Sequence, residues 1–83
     1  MKLVKYWAEW CVPCKRMGPI VDTFCKEQKV TLESVNIENL TADEKKQSKL
    51  KSIPTLDFYP GDGTVIRLNG TYTLDELKSK LGF

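Results

Sequence analysis

The chain has 83 residues, of which 41% are hydrophobic, so it has enough apolar residues for one small core. Its 13 Lys and Arg residues against 11 Asp and Glu residues give a formal net charge of +2. The lysines between residues 45 and 51 alternate with polar residues and predict a solvated helix face, and no basic block with interleaved aromatic residues supports nucleic-acid binding. No apolar run approaches the ~20 residues of a membrane span. The N-terminus enters a strand pattern without a signal peptide's apolar stretch, so we expect one cytoplasmic domain over residues 1–83 with no nucleic-acid or membrane partner.

The first half of the chain alternates strand and helix patterns. Residues Lys2–Trp7 alternate in polarity and are rich in strand formers, which predicts a strand. A helix follows, with Pro13 near its start and a buried stripe at helical spacing. That stripe consists of Met17, Ile20, Val21, Phe24 and Cys25. Pro19 predicts a kink in this helix. Residues Val30–Ile37 then predict a second strand whose apolar residues are out of phase, which indicates a bend or burial on both faces.

A helix and a hairpin follow. Thr41 and Glu44 form a capping-box pattern, which predicts a short polar helix ending near Leu50. Strand patterns at residues 55–59 and 64–68 flank a turn rich in glycine and proline. This arrangement predicts a β-hairpin.

The last predicted element is a helix capped by Thr73, with leucines facing the core. The complete order is therefore β-α-β-α-β-β-α. A right-handed crossover makes the first two strands parallel, and the hairpin adds two antiparallel strands. The sequence predicts an α/β fold in which three helices flank a four-stranded mixed sheet.

Cys11 and Cys14 are the most informative residues, because they lie three positions apart at the start of the first helix. Such a pair can switch between a dithiol and a disulfide, which indicates thiol–disulfide exchange. Helical spacing can place the two Cα atoms within the ~4.4–6.8 Å that a disulfide accepts. We expect Cys11 to be the nucleophile, since a helix N-terminus favours its thiolate. Cys14, one turn further in and more buried, should resolve the mixed disulfide.

Other uses of the pair stay open from the residues alone. A purely structural bridge closes so small a loop that it constrains the unfolded chain little. A zinc site within one chain lacks ligands, because the sequence has no histidine and Cys25 is the only further cysteine. A dimer that pools two pairs, or that bridges an iron–sulfur cluster, remains an alternative. Cys25 itself is most simply a buried core residue.

Several motifs occur in the order found in the thioredoxin superfamily, which the chain resembles over nearly its whole length. They are WAEWCVPCK at residues 7–15, the Gly-Pro step at residues 18–19, SIPT at residues 52–55, and Gly70. The chain resembles thioredoxins more than glutaredoxins, but without the N-terminal strand and helix of full-length thioredoxins, which leaves a chain of glutaredoxin size. The resemblance implies a cis peptide bond before Pro54, facing the Cys11 sulfur, and a substrate-docking groove. The implied docking residues are Trp10, Val12, Pro13, Ile53, Pro54 and Gly70.

One departure from the family concerns charge beside the cysteines. The family's buried aspartate, six residues before the first cysteine, is Lys5 here, on the strand face shared with Leu3 and Trp7. A bare ammonium there is costly, and Asp57 stands where the family usually has an apolar residue. We therefore predict a Lys5–Asp57 ion pair, with Glu33 as the second candidate. The positive charge would favour thiolates near the active-site helix.

The resemblance implies a protein disulfide reductase that exchanges two electrons with an extended cysteine-containing segment of its substrate. It implies a monomer without a cofactor, re-reduced by an upstream donor, either thioredoxin reductase or glutathione. Two alternatives are a glutaredoxin-like protein recharged by glutathione and a non-catalytic binding module that carries metal or docks partners through the same groove.

Overall fold

A computed structural model describes all residues from 1 to 83. The elements in chain order are β1 (Lys2–Trp7), α1 (Val12–Gln28), β2 (Thr31–Asn36), a 3₁₀ turn (Ile37–Asn39), α2 (Ala42–Ser48), β3 (Thr55–Tyr59), β4 (Ile66–Asn69) and α3 (Leu74–Lys80). The predicted order β-α-β-α-β-β-α is confirmed. None of the helices combines the length and the apolar character that crossing a bilayer requires.

The four strands form one mixed sheet in the order β2-β1-β3-β4. Strand β1 is parallel to β2 and antiparallel to β3, and β3 is antiparallel to β4. The predicted fold class, a four-stranded mixed sheet with three helices, is therefore confirmed. Because β1 and β3 are the central strands, the loops that leave their ends lie near the middle of the sheet edge.

The hydrophobic core lies between one face of the sheet and helices α1 and α3. Leu3 on β1 is opposite Phe58 on β3, and directly opposite residues in a sheet share a face. The cluster on this face comprises Leu3, Met17, Val21, Phe24, Cys25, Val30, Leu56, Phe58, Leu68, Leu77 and Leu81. Burying a large apolar side chain stabilises the fold by about 1.5–3 kcal/mol, so this one cluster holds α1 against the sheet.

The helix ends follow the sequence patterns. Thr41 begins α2 with a complete capping box, in which the Thr41 hydroxyl accepts from the Glu44 N–H and the Glu44 carboxylate accepts from the Thr41 N–H. Helix α2 ends at Ser48, two residues before the predicted end, because Lys49 adopts a left-handed conformation with φ of 56°. Helix α1 includes Pro19 in its interior and continues to Gln28.

Two strand boundaries differ from the prediction because side chains form turns next to them. Strand β2 ends at Asn36, whose side-chain oxygen accepts from the Glu38 N–H and begins the 3₁₀ turn. Strand β4 spans Ile66–Asn69 and begins two residues later than predicted. There the Asp62 carboxylate accepts from the Thr64 N–H at 3.0 Å, which keeps Thr64 in the turn. Local side-chain bonds of this kind compete with strand pairing.

The predicted ion pair between Lys5 and Asp57 is wrong. Asp57 instead accepts two hydrogen bonds of 2.7 Å from the Arg67 guanidinium on β4. In the register of β1 and β3, Val4 is opposite Asp57 and Lys5 is opposite Leu56. Because side chains alternate along a strand, Lys5 and Asp57 point to opposite faces of the sheet.

The second candidate partner of Lys5 is also wrong, for the same reason. Glu33 on β2 is opposite Val4, and its carboxylate lies 3.9 Å from the Lys2 ammonium. Lys5 takes part in none of the three ion pairs of the chain. Its side chain is only partly buried, so its ammonium keeps access to water.

The sheet face that carries Asp57 is polar, in contrast to the core face. The Asp57 side chain is 4% exposed, and the Arg67 guanidinium that pairs with it also donates to the Lys49 carbonyl at the end of α2. Burial and the Asp57 carboxylate raise the pKa of Tyr6 on the same face. The Asp57–Arg67 pair therefore joins β3, β4 and the end of α2.

We expect the loss of the Arg67 guanidinium to destabilise the fold. In an Arg67→Met variant the Asp57 carboxylate is buried without its partner, and we expect the free energy of unfolding to fall by about 3 kcal/mol in urea titrations. The double variant Asp57→Leu/Arg67→Met should recover most of that loss, because it removes both charges. Lys78→Met, which breaks the more exposed 3.1 Å pair with Glu27, is the control and should cost at most about 1 kcal/mol. Equal stability of Arg67→Met and the wild type would contradict this role.

Candidate active site

The two cysteines lie at the N-terminus of α1 and form a disulfide. Cys11 is the N-cap residue, with an extended backbone, and Cys14 is one turn further along. Their Cα atoms are 5.2 Å apart, within the range that the sequence predicts. The strand β1 and the short loop that follows it deliver Cys11 to this position, and the Cys11 N–H donates to the Ala8 carbonyl at 3.1 Å. The cysteine pair is thus held close to the end of β1, one of the two central strands.

The sulfur of Cys11 acts as the helix cap. The Cys14 backbone N–H donates to the Cys11 Sγ at 3.2 Å, in the position that a Ser or Asp side chain usually fills. The first turn of α1 contains no acidic residue that would oppose a negative charge there. In the reduced protein this N–H and the helix dipole favour a thiolate on Cys11.

The expected difference in burial between the two cysteines is absent from the disulfide form. Cys11 is 5% exposed and Cys14 is 4% exposed, and both pack with Ala8 in a small cluster separate from the main core. Exposure therefore does not distinguish the two cysteines in this form. What distinguishes the pair is the helix-capping hydrogen bond, which Cys11 accepts and Cys14 donates.

Three of the predicted docking residues surround Cys11 on the surface. Trp10 is 67% exposed and Val12 is 57% exposed, although both are large and apolar. Pro13, in the first turn of α1, is exposed as well. Exposed apolar side chains next to a reactive group are typical of a surface that contacts other proteins.

The other three docking residues come together on two loops. The Ile53–Pro54 peptide bond is cis, as expected, and the Ile53 side chain packs against the cluster of the two cysteines. The Gly70 N–H donates to the Pro54 carbonyl at 2.9 Å, which joins the turn after β4 to this loop. Ile53 takes part in no backbone–backbone hydrogen bond, so its N–H and C=O are available to a partner.

Lys5 lies beside the second cysteine rather than beside a carboxylate. Lys5 and Cys14 both line a hollow of about 170 Å³ between β1 and the start of α1. Trp7 forms part of the same wall, where its Nε1–H donates to the Ser34 hydroxyl at 2.7 Å. Lys15 is the other cation on this hollow. The positive charge that the sequence predicts near the active-site helix is therefore present, without the predicted ion pair.

Cys25 is a buried free thiol in the main core, as predicted. Burial and the Asp22 carboxylate raise the pKa of Cys25, and the Lys5 ammonium partly offsets this. A raised pKa keeps the thiol protonated and unreactive near neutral pH. No group of three or more His, Cys, Asp or Glu side chains is arranged to hold a metal ion.

A second hollow, of about 240 Å³, is lined by Trp10 and is not predicted from the sequence. Its lining also includes Ile37, Leu50 and Ile53 together with Lys45 and Lys51. The sequence pattern predicts a solvated helix face for the lysines, and the apolar residues belong to three separate segments. In the sequence, only Leu50 indicates this hollow, because it is an apolar residue that follows the polar residues of α2.

Comparisons with known proteins now decide the family. The thioredoxin family profile matches residues 1–82. The chain belongs to the thioredoxin family. It is 33% identical over 81 residues to a thioredoxin of Alicyclobacillus acidocaldarius subsp. acidocaldarius, a match that covers 95% of this chain and 76% of that protein. It is also 39% identical over 84 residues to a protein disulfide-isomerase of Oryctolagus cuniculus, covering 94% of this chain but only 16% of that protein.

Solved structures with the thioredoxin fold agree with the architecture. A chloroplastic thioredoxin z superposes with a TM-score of 0.84 at 19% identity, over 96% of this chain and 74% of the other. Thioredoxin 1 of Thermosipho africanus TCF52B gives 0.81 at 20% identity, over 99% and 91% of the two chains. Family membership and the paired cysteines identify the chain as a thiol–disulfide oxidoreductase.

Two glycines beside the cysteines should respond oppositely to alanine. Apart from its chain neighbours and the backbone of its own helix, a Cβ at Gly18 or Gly70 meets no atom within 4 Å, so the backbone distinguishes the two sites. Gly18 lies in helix α1, where alanine is favoured over glycine, but the ring of the following Pro19 offsets part of this gain, so Gly18→Ala should raise the free energy of unfolding by at most about 1 kcal/mol. Gly70 has a φ of 98°, and Gly70→Ala should lower it by about 1–2 kcal/mol. Urea titrations measure both changes, and shifts of the same sign would refute this explanation.

Proposed function

We propose that this oxidoreductase reduces disulfides of substrate proteins, with Cys11 as the nucleophile and Cys14 as the resolving thiol. The observation that carries the proposal is the hydrogen bond from the Cys14 N–H to the Cys11 Sγ at the helix N-terminus. This donor stabilises negative charge on the sulfur of Cys11. Cys14 lies within disulfide distance of Cys11 and is therefore placed to complete the reaction.

The reaction proceeds in two exchange steps. The Cys11 thiolate attacks one sulfur of the substrate disulfide, which forms a mixed disulfide and releases the other substrate sulfur as a thiolate that takes up a proton. The Cys14 thiolate then attacks the Cys11 Sγ, which forms the Cys11–Cys14 disulfide and releases the second substrate thiolate. The substrate gains two electrons and the protein pair loses two, so the pair must be re-reduced before the next turnover.

Substrate binds along the surface between the two groups of docking residues. Trp10, Val12 and Pro13 supply exposed apolar contacts on one side of Cys11. On the other side, the free backbone groups of Ile53 can pair with an extended substrate segment, as in strand addition to a sheet edge. The Gly70 turn supports this loop through its hydrogen bond to the Pro54 carbonyl. A shallow docking surface suits a transient protein partner.

The proposed cellular compartment and electron donor are compatible with thiol–disulfide exchange. Residues 1–83 act as one monomeric domain in a reducing cytoplasm, where an odd number of cysteines gives no pairing problem. The upstream donor is either thioredoxin reductase or glutathione. Recycling with NADPH and thioredoxin reductase, compared with recycling by glutathione and its reductase, distinguishes the two donors.

The two cysteines should differ in function when each is replaced. We expect Cys11→Ser to abolish reduction of insulin-type disulfides, and Cys14→Ser to accumulate a covalent mixed disulfide with the substrate. Mass spectrometry of the product detects the adduct, and Cys25→Ser is the control that should keep turnover. Faster alkylation of Cys14 than of Cys11 at neutral pH would reverse the assignment.

Lys5 tunes the pair through its charge. It lines the hollow beside Cys14, where the family's aspartate otherwise stands, and it forms no ion pair. A cation there stabilises thiolates of the reduced form and leaves the uncharged disulfide unaffected. Lys5 therefore favours the reduced pair, which makes the protein a stronger oxidant than it would be with an apolar residue. Asp57, which lies on the opposite face of the sheet, does not share in this role.

Removing the Lys5 charge should shift the redox chemistry without loss of the fold. In Lys5→Met, we expect the midpoint of the pH dependence of Cys11 alkylation to rise and the reduction potential to fall by at most about 30 mV, and Lys5→Asp should shift both further. Equilibration with glutathione redox buffers measures the potential. Lys26→Met, on the exposed side of the last turn of α1, is the matched control. An unchanged pH dependence of Cys11 alkylation in Lys5→Asp would show that lysine in place of the family's aspartate does not affect the cysteine chemistry.

A further inference from the structure

The hollow lined by Trp10 shares residues with the surroundings of the candidate active site. Its apolar lining comprises Trp10, which precedes Cys11 in the chain, Ile53 and Ile37, which pack against the cluster of the two cysteines, and Leu50. Its volume of about 240 Å³ lies below the ~300–1,000 Å³ of typical small-molecule sites, so it suits a side chain or two of a peptide.

The charge at this hollow is entirely positive. Lys45 and Lys51 both line it, no acidic side chain does, and neither lysine takes part in an ion pair. Glu9, Glu38 and Glu44 are each adjacent in sequence to a lining residue, but none of them lines the hollow, and the Glu44 carboxylate accepts from the Thr41 N–H at the start of α2. The hollow therefore combines an apolar lining with two lysines that have no carboxylate within ion-pair distance.

We infer that this hollow binds a segment of the substrate polypeptide in which an acidic residue lies next to an apolar side chain, close to the disulfide that is reduced. The inference rests on the proposed function, and it adds a substrate class. The apolar side chain packs against Trp10 and Ile53, and the carboxylate lies between Lys45 and Lys51. Complementary charge at the edge of a docking surface steers encounter and selects partners more than it adds affinity.

Three disulfide-bridged peptides test the selectivity. They are identical except that the residues beside one cysteine are Phe-Glu, Phe-Gln or Phe-Lys. We expect kcat/KM for the Phe-Glu peptide to exceed that for the Phe-Lys peptide about fivefold, as two exposed charge pairs together allow, with the Phe-Gln peptide between them. The ratio should approach one at 0.5 M salt, since exposed charges are screened there.

Charge reversals locate the effect. Lys45→Glu/Lys51→Glu should abolish or invert the preference for the Phe-Glu peptide over the Phe-Lys peptide. Lys46→Glu, the same change at the neighbouring position of α2 outside the hollow, should keep the preference. An equal response of Lys46→Glu would mean that net charge alone selects the substrate, and would overturn the proposed site. Reduction of all three peptides at equal rates by the wild type would overturn the selectivity but leave the disulfide reductase intact.

Binding without reaction separates this inference from the proposed function. In NMR titrations, a Phe-Glu peptide with serine in place of cysteine should shift the amide signals of Trp10, Lys51 and Ile53, and the Phe-Lys peptide should not. These shifts would support docking even if no peptide were reduced, and their absence would refute it. Reduction of glutathione disulfide that depends on Lys45 and Lys51, without any preference among the peptides, would indicate that the hollow binds a small thiol. This result would also overturn the assignment to a polypeptide substrate.

Discussion

The N-terminus of helix α1 is the constraint on which the active site depends. A helix begins with unpaired N–H groups, and here the Cys14 N–H donates to the Cys11 sulfur. The same backbone feature therefore begins the helix and favours negative charge on that sulfur, which we propose as the nucleophile. The helix can impose this geometry because Met17, Val21 and Phe24 are fully buried in the core beneath it. Helix α1 therefore both positions the cysteine pair and contributes side chains to the core.

Alternation along the strands assigns the two faces of the sheet to different tasks. On one face, Lys5 lies two residues after Leu3 and lines the same hollow as Cys14, the position from which we propose that its charge acts on the thiols. On the other face, Asp57 and Arg67 neutralise each other and hold β3, β4 and the end of α2 together. Because successive side chains of a strand point to opposite faces, the sheet separates Lys5 on β1 from the Asp57–Arg67 pair, although β1 and β3 are neighbouring strands. The polar pair can therefore stabilise the fold without disturbing the thiolate.

Features that depend on spacing within one segment could be predicted from the sequence, whereas contacts that depend on the pairing of strands could not. The capping box at Thr41 and the helix-starting cysteines depend on spacing within one segment, so their positions could be predicted. The cis bond before Pro54 followed from resemblance and not from the local residues. The partner of Asp57 depends on which residue of β4 lies opposite it, and the hairpin pattern alone does not determine that this residue is Arg67. The hollow beside Trp10 was missed because three separate segments form it.

A chain of this size cannot enclose a substrate, and thiol–disulfide exchange does not require it to. The mixed disulfide holds the substrate covalently between the two steps, so docking has only to bring a sulfur to Cys11 and then let the product leave. Tight binding would slow that release. Selectivity must therefore come from small differences at an exposed surface, where Trp10 offers apolar contact and lysines offer charge. A weak, salt-sensitive preference is what such a surface can provide, and it is compatible with rapid turnover.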